Sequence, residues 1–177
     1  MESRPVGGEV SSGQIESESK GQFQGFPTHL ISSDDITKMG EKWLQIENLP
    51  PTLSNGRYIL NLRNQHWITL ILQKPEAFIF DPLSTKVNKK DIPSHHPELM
   101  SWLKRNGFTQ ILANDKIVQP KKSNLCGYYC LWFVKHVPKG HLNENKFDDF
   151  ILRNFHDGDS GFSVRTLVSW TNKVGLT

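Results

Sequence analysis

The chain contains two cysteines, Cys126 and Cys130, and the first of them is placed for nucleophilic chemistry. A thiol is a useful nucleophile at neutral pH when its pKa is lowered, and a helix N-terminus supplies partial positive charge and free amide hydrogens for that purpose. The local pattern predicts that a helix starts at Cys126, and Gly127 would let a substrate backbone approach the sulfur and the Cys126 amide. The alternative interpretation is a pair of ordinary buried thiols one turn apart on an apolar helix.

A base, and a group that orients the base, are the next requirements of thiol-dependent hydrolysis. His66 stands at the head of a predicted strand, where a strand end can present a side chain at a cleft. Asp81 ends the following strand, so strand pairing would bring its carboxylate to the imidazole and stabilise the imidazolium. Gln119 precedes Pro120 in the loop before the cysteine helix, and its amide could donate to an oxyanion. Taken singly, the three residues also have ordinary interpretations as a structural histidine, a turn aspartate and a loop glutamine.

The strands that must position these groups follow from short runs rich in Ile, Leu, Tyr and Phe, bounded by polar residues or proline. Such runs predict a sheet, because side chains alternate between its two faces and β-branched and aromatic residues pack well there. The predicted strands are 57–62, 67–72, 77–80, 109–112 and 116–118.

Helices are predicted where apolar residues recur on one face between caps and helix breakers. Five helices are predicted. The first is capped by Ser32 or Ser33, carries Trp43 and ends before Pro50, and the second runs from Pro97 to Gly107. The third is the cysteine helix, capped by Ser123 or Asn124 and ending near Val137; the fourth carries the apolar residues of 147–155, and the fifth is capped by Ser163.

Together the candidate groups form an ordered set that resembles the signature of adenain, the adenovirus protease family. The matching segments are Gln65-His66-Trp67, Phe80-Asp81-Pro82, and Gln119 seven residues before Cys126-Gly127, and the resemblance covers roughly residues 28–137. It implies an α+β, papain-like fold with a central mixed sheet flanked by helices and the catalytic cysteine at the N-terminus of a central helix. The implied roles of base, orienting acid, oxyanion donor and nucleophile fall on His66, Asp81, Gln119 and Cys126, and Trp67 and Gly127 are expected to bind substrate.

The resemblance implies a cysteine endopeptidase that cleaves viral precursor proteins next to Gly-containing motifs during virion maturation. Many adenovirus enzymes carry Glu at the acid position, whereas the SUMO proteases of the same clan carry Asp, so Asp81 leaves a protease of ubiquitin-like modifiers as an alternative. The seven-residue step from Gln119 to Cys126 favours the viral type. A catalytically silent binding module with the same fold is a third interpretation, and the retention of all four reacting groups argues against it.

Composition sets the expectations for partners and cofactors. The net charge of +3 permits contact with DNA without requiring it, because electrostatic affinity needs clustered Lys and Arg. Two cysteines are too few for a disulfide framework or a zinc ribbon, so we expect no metal and no cofactor for the chemistry. The resemblance also implies that DNA or a short viral peptide could activate the enzyme. A disulfide-linked peptide would have to use Cys130, which lies inside the nucleophile's own helix.

Length and segment character set the expected organisation and location. Residues 1–24 are rich in Gly, Ser, Glu and Gln and predict a disordered tail, followed by one protease domain over 25–177. No run approaches the roughly 20 apolar residues that cross a bilayer, and the first thirty residues lack the order of a secretory signal. We therefore expect a monomer without membrane contact, located in the virion and the host cell interior, in nucleus or cytoplasm, and not secreted.

Overall fold

The computed structural model describes residues 30–63, 66–83, 96–115, 118, 125–155 and 161–176. The predicted N-terminal tail lies outside these residues, as do Gln65, Gln119 and the two residues predicted to cap the cysteine helix. All statements below concern the described part of the chain.

Five strands form one mixed sheet in chain order. They are β1 (Lys42–Gln45), β2 (Gly56–Leu62), β3 (His66–Gln73), β4 (Glu76–Phe80) and β5 (Gln110–Ala113). The three central strands pair antiparallel, and the two outer strands pair parallel to their neighbours. Four of the five predicted strands, 57–62, 67–72, 77–80 and 109–112, correspond to β2, β3, β4 and β5 and are confirmed. Of the strand predicted at 116–118, only Val118 is described, and it lies outside any strand.

Five α-helices and one short 3-10 helix complete the described architecture. They are α1 (Ser33–Lys38), the 3-10 helix (Ile46–Asn48), α2 (Pro97–Arg105), α3 (Cys126–His136), α4 (Glu144–Asn154) and α5 (Gly161–Lys173). The predicted α+β class is confirmed, with Cys126 as the first residue of a helix that packs on the sheet. Within the described ranges, no helix is long and apolar enough to cross a membrane.

The first helix is shorter than predicted. Ser32 closes a capping box with Asp35, as the cap pattern indicates, but the helix ends at Lys38, and Gly40 follows with a φ of 80°. The prediction that Trp43 belongs to this helix is wrong, because Trp43 lies in β1 and pairs with Ile59 of β2. Its spacing from the helical residues fits one helix face, but pairing with the sheet edge outweighs that local preference.

Two other predicted helix starts also need correction. The N-cap of α3 is Leu125, whose side chain makes no capping hydrogen bond. The last helix, α5, begins at Gly161, so Ser163 lies inside the helix and the prediction that it is the cap is wrong. Cap preferences alone fix a helix start only to within one or two residues.

The sheet separates two apolar layers, and successive side chains of β3 point alternately into one layer and the other. Trp67 and Ile71 face the layer that contains α3, α4 and α5, while Ile68 and Leu70 face the layer that contains α2. Helix α3 runs alongside β3, and the Thr69 hydroxyl donates to the Cys130 carbonyl at 3.3 Å. The start of α3 therefore lies beside the start of β3.

Candidate active site

The first pair of functional side chains comes from two neighbouring strand ends. Strand β3 begins at His66, and β4 ends one residue before Asp81. The antiparallel register pairs Thr69 with Phe80, so the start of β3 and the end of β4 lie at the same edge of the sheet. There, His66 Nε2 lies 2.6 Å from Asp81 Oδ1, a short charge-assisted hydrogen bond.

Asp81 is held at its backbone and at both carboxylate oxygens. Its amide donates to Asn114 Oδ1 at 2.7 Å, and its carbonyl accepts from Asn114 Nδ2 at 2.7 Å. Oδ1 also accepts from the Leu83 amide at 2.9 Å, and Oδ2 lies 3.1 Å from His96 Nε2. The acid therefore keeps one orientation toward His66. The sequence reasoning missed both Asn114 and His96 as members of this site.

The electrostatics of the pair favour the charged form of each partner. For Asp81, burial opposes ionisation, but the charge and hydrogen bond of His66, with the hydrogen bond from His96, outweigh it and hold the pKa well below its ordinary value. For His66, burial disfavours the imidazolium, but the charge and hydrogen bond of Asp81 and a contribution from Cys126 raise the pKa to about 10. The two groups together form an ion pair at neutral pH.

The hydrogen bond to Asp81 also decides which imidazole nitrogen can act as a base. Because Nε2 donates to the carboxylate, Nδ1 is the nitrogen left to exchange a proton. Nδ1 is buried and makes no hydrogen bond of ordinary geometry with a described residue. The Cys126 side chain nevertheless lies near enough to the ring to favour its charged form. Catalytic contacts of this kind often tighten only when a substrate binds.

Cys126 occupies the first position of α3, as the sequence indicates. The first amides of an α-helix have no intrahelical acceptor, so the Cys126 and Gly127 amides point away from the helix body. They can donate to an anion that forms on a carbonyl attacked by the Cys126 sulfur. The thiol itself has no exposed surface.

Trp67 and Gly127 are close neighbours, and Gly127 directly follows Cys126 in α3. A Cβ placed on Gly127 would collide with Ile31 and lie 2.9 Å from Trp67 Cδ1, so the glycine is required by close packing inside the chain. Trp67 is fully buried and packs edge-on against Trp43 with ring centroids 6.4 Å apart. Substrate binding by Trp67 and Gly127 stays a prediction, since both contact the chain's own core here.

Cys130, one turn along α3 from Cys126, has its own hydrogen-bond partner. Its thiol donates to the Trp67 carbonyl at 3.3 Å, and complete burial raises its pKa well above the ordinary thiol value. Cys130 is thus a core thiol, as the ordinary alternative describes, and the reactivity of Cys126 stays a prediction. Its position one turn along α3 makes it an internal reference for the reactivity of Cys126.

Gln119 lies outside the described residues, so its predicted role in binding an oxyanion stays a prediction. In the described part of the chain, no three histidine, cysteine or acidic side chains are arranged to hold a metal ion. The structure brings together His66, Asp81 and Cys126 from three different elements.

Comparison with known proteins gives structural neighbours only. No protein-family model matches the chain, and no curated protein sequence matches it. Similar solved structures include the central domain of the uncharacterized Lpg1148 protein from Legionella pneumophila, with 14% identity, a TM-score of 0.40, and 76% of this chain and 86% of that chain covered.

Two proteases are also among the similar structures. The ASFV pS273R protease has 15% identity and a TM-score of 0.30 over 57% of this chain and 43% of that chain. The SUMO protease Ulp1, with its catalytic cysteine oxidized to a sulfinic acid, has 16% identity and a TM-score of 0.34 over 98% of this chain and 72% of that chain. At such TM-scores, these similarities carry no functional conclusion.

Proposed function

We propose that the chain is a cysteine-type peptidase, with Cys126 as nucleophile, His66 as base and Asp81 as the group that orients the base. One observation carries the proposal. The 2.6 Å bond between His66 Nε2 and Asp81 fixes the imidazole so that Nδ1 is left for a thiol, and the thiol near that ring is the first residue of a helix. A core histidine and a core cysteine need no such arrangement.

The reaction follows from these positions. The Cys126 thiolate attacks the carbonyl carbon of the scissile peptide, and the developing oxyanion accepts from the free amides at the start of α3. Protonated His66 then donates its Nδ1 proton to the leaving amine, which departs and leaves a thioester. Neutral His66 next takes a proton from water, and the resulting attack releases the acid and regenerates the thiolate. Asp81 stabilises the imidazolium in both half-reactions.

The substrate class rests on the sequence resemblance. We propose precursor polypeptides of a virus, cleaved next to Gly-containing motifs during virion maturation, by a monomer acting in the virion or the host cell interior. Contact with DNA is part of the same proposal and accords with the net charge of +3. The second candidate is a protease of a ubiquitin-like modifier, and the observation that favours it is an aspartate, Asp81, at the acid position.

The proposal is tested with the wild-type chain, Cys126→Ala and Cys130→Ala. Each protein is incubated with a pool of Gly-containing peptides and with folded ubiquitin-like precursor proteins, and the products are identified by mass spectrometry. We expect cleavage by the wild type and by Cys130→Ala, and none by Cys126→Ala. The Cys130 variant is the matched control, because it removes a thiol from the same helix one turn away.

The pattern of products separates the two candidates. Cleavage of the short peptides supports the viral precursor substrates. Trimming of a folded modifier, with the peptides left intact, moves the assignment to the modifier protease. Cleavage that survives in Cys126→Ala would overturn the assignment of the nucleophile.

A further inference from the structure

A second imidazole, that of His96, contacts the acid of the proposed site. His96 Nε2 lies 3.1 Å from Asp81 Oδ2, on the side of the carboxylate away from His66. Both side chains in this contact are about nine-tenths buried. Asp81 is therefore bound by one imidazole on each oxygen.

Helix capping does not explain this histidine. His96 is the N-cap residue of α2, a position that favours Ser, Thr, Asp and Asn, whose side chains bond the free amides of the first turn. The His96 side chain makes no capping hydrogen bond. It is directed at Asp81 instead, and Pro97 at the first helical position fixes the backbone from which it extends.

We propose that His96 is a positioning residue of the peptidase reaction that acts through Asp81. The inference rests on the proposed function. A carboxylate rotates readily about its last torsion, and His66 requires a lone pair of Oδ1 in one direction. Of the described residues, only His96 donates to Oδ2, so its bond opposes that rotation. Fixed in this way, Asp81 keeps the His66 imidazolium in the orientation that presents Nδ1 to Cys126.

The titratable groups around Asp81 come from three elements. His66 faces it from β3, His96 from the start of α2, and Cys126 stands beside His66 at the start of α3. The next charged residue on α2, Glu98, pairs with Arg63 at the surface. An effect of His96 on the reaction therefore passes through the carboxylate that it shares with His66.

The test compares His96→Gln with His96→Asn in the full chain. A glutamine amide can place a nitrogen donor about where the imidazole places Nε2, whereas asparagine is too short to reach Asp81. Asparagine is also a favoured N-cap residue, so it should preserve or raise the stability of α2. The control is His141→Gln, because His141 is 70% exposed and pairs only weakly with Glu76 at 3.5 Å.

The readout is the rate at which iodoacetamide modifies Cys126, measured by peptide mass spectrometry near pH 7 and near pH 9.5, together with the melting temperature. We expect His96→Asn to be about tenfold slower than wild type near pH 7, and close to wild type near pH 9.5, where alkylation of a thiol no longer needs a base from the protein. His96→Gln and the control should stay within about threefold of wild type.

Each other outcome overturns the inference. Wild-type rates in His96→Asn near pH 7 would show that the second imidazole has no influence on the pair. Equal losses in the Gln and Asn variants would show that the donor at this position is not what matters. If Cys126 of the wild-type protein reacts no faster than Cys130, the proposed function itself fails, and the inference fails with it.

Discussion

Replacing Asp81 by asparagine should remove the charge that keeps His66 protonated and should thereby slow the alkylation of Cys126. The asparagine oxygen can still accept from His66 Nε2 and from the Leu83 amide, so the ring can keep its place. What is lost is the negative charge, the main contribution that raises the pKa of His66 against the effect of burial. The substitution therefore tests electrostatics with little change of shape.

The size of the effect follows from the pKa of His66. With Asp81 present, this pKa is about 10, so the imidazolium is fully formed near pH 7. An imidazolium attracts a negative sulfur beside it. Without the carboxylate, burial lowers the pKa of His66 and only the contribution of Cys126 opposes it, so the pKa should fall toward its ordinary value of 6.5. Each unit by which this pKa falls makes the imidazolium about tenfold less stable relative to the neutral ring, so a fall of about two units corresponds to roughly a hundredfold.

Alkylation of Cys126 by iodoacetamide, followed by peptide mass spectrometry, measures the thiolate directly. We expect Asp81→Asn to react about a hundredfold more slowly than wild type near pH 7. The two rates should converge above about pH 9.5, where alkylation of a thiol no longer needs a base from the protein. Cys130, whose pKa is raised by burial, provides the slow internal reference. Asp149→Asn is the matched control, because that carboxylate forms a surface pair with Arg153 at 2.9 Å.

Two results would refute this reasoning. Equal rates for wild type and Asp81→Asn near pH 7 would mean that the carboxylate does not hold the proton on His66. The same loss at both pH values would mean that the substitution has altered access to the sulfur and not its ionisation.

Three further predictions concern the free energy of unfolding. The raised pKa of His66 contributes stability that is fully present below about pH 6.5 and is lost as the pH rises through about 10. Denaturant titrations should therefore show the free energy of unfolding of the wild type falling by roughly 3–5 kcal/mol over that range, and that of His66→Gln falling far less. Gly127→Ala should lower the free energy of unfolding by about 1–3 kcal/mol, because the added Cβ collides with Ile31. The double variant with Ile31→Ala should lose less than the sum of the two single losses, and strict additivity would contradict the contact. Arg57 donates to carbonyls at the end of α3, so Arg57→Lys should lose about 1–2 kcal/mol in thermal melts, and an unchanged melting temperature would exclude that role.

The strands at the centre of the sheet could be predicted from the sequence because local signals and tertiary structure agree there. Runs of aliphatic and aromatic residues end at turn residues, and β2, β3 and β4 follow one another as antiparallel neighbours. The first helix could not be predicted in full. The spacing of Trp43 fits a helix face, but only knowledge of the partner strand β2 shows that this residue belongs to a sheet edge.

Some residues of the candidate site could likewise be predicted from the sequence, and others could not. His66, Asp81 and Cys126 each mark the start or end of an element, and the structure brings all three together, while their catalytic roles stay predictions. His96 and Asn114 gave no comparable signal. His96 reads as a loop residue before a proline, and Asn114 as a polar residue after a short strand. Their contacts with Asp81 depend on where α2 and β5 lie against the end of β4, which hydrophobic spacing does not specify.

The two cysteines of α3 have different surroundings, and the proposed difference in their reactivity rests on those surroundings and not on the helix alone. Both belong to α3, both are buried, and they are one turn apart. The Cys130 thiol meets the carbonyl of Trp67, the second residue of β3, and this acceptor cannot take up a proton. Cys126 faces the start of the same strand, where His66 offers an imidazole whose charge Asp81 stabilises. Because an α-helix rises 1.5 Å per residue, a displacement of about 6 Å along α3 separates the core thiol of Cys130 from the proposed nucleophile, Cys126. Under the proposed function, the ends of β3 and β4 determine which thiol of α3 can react.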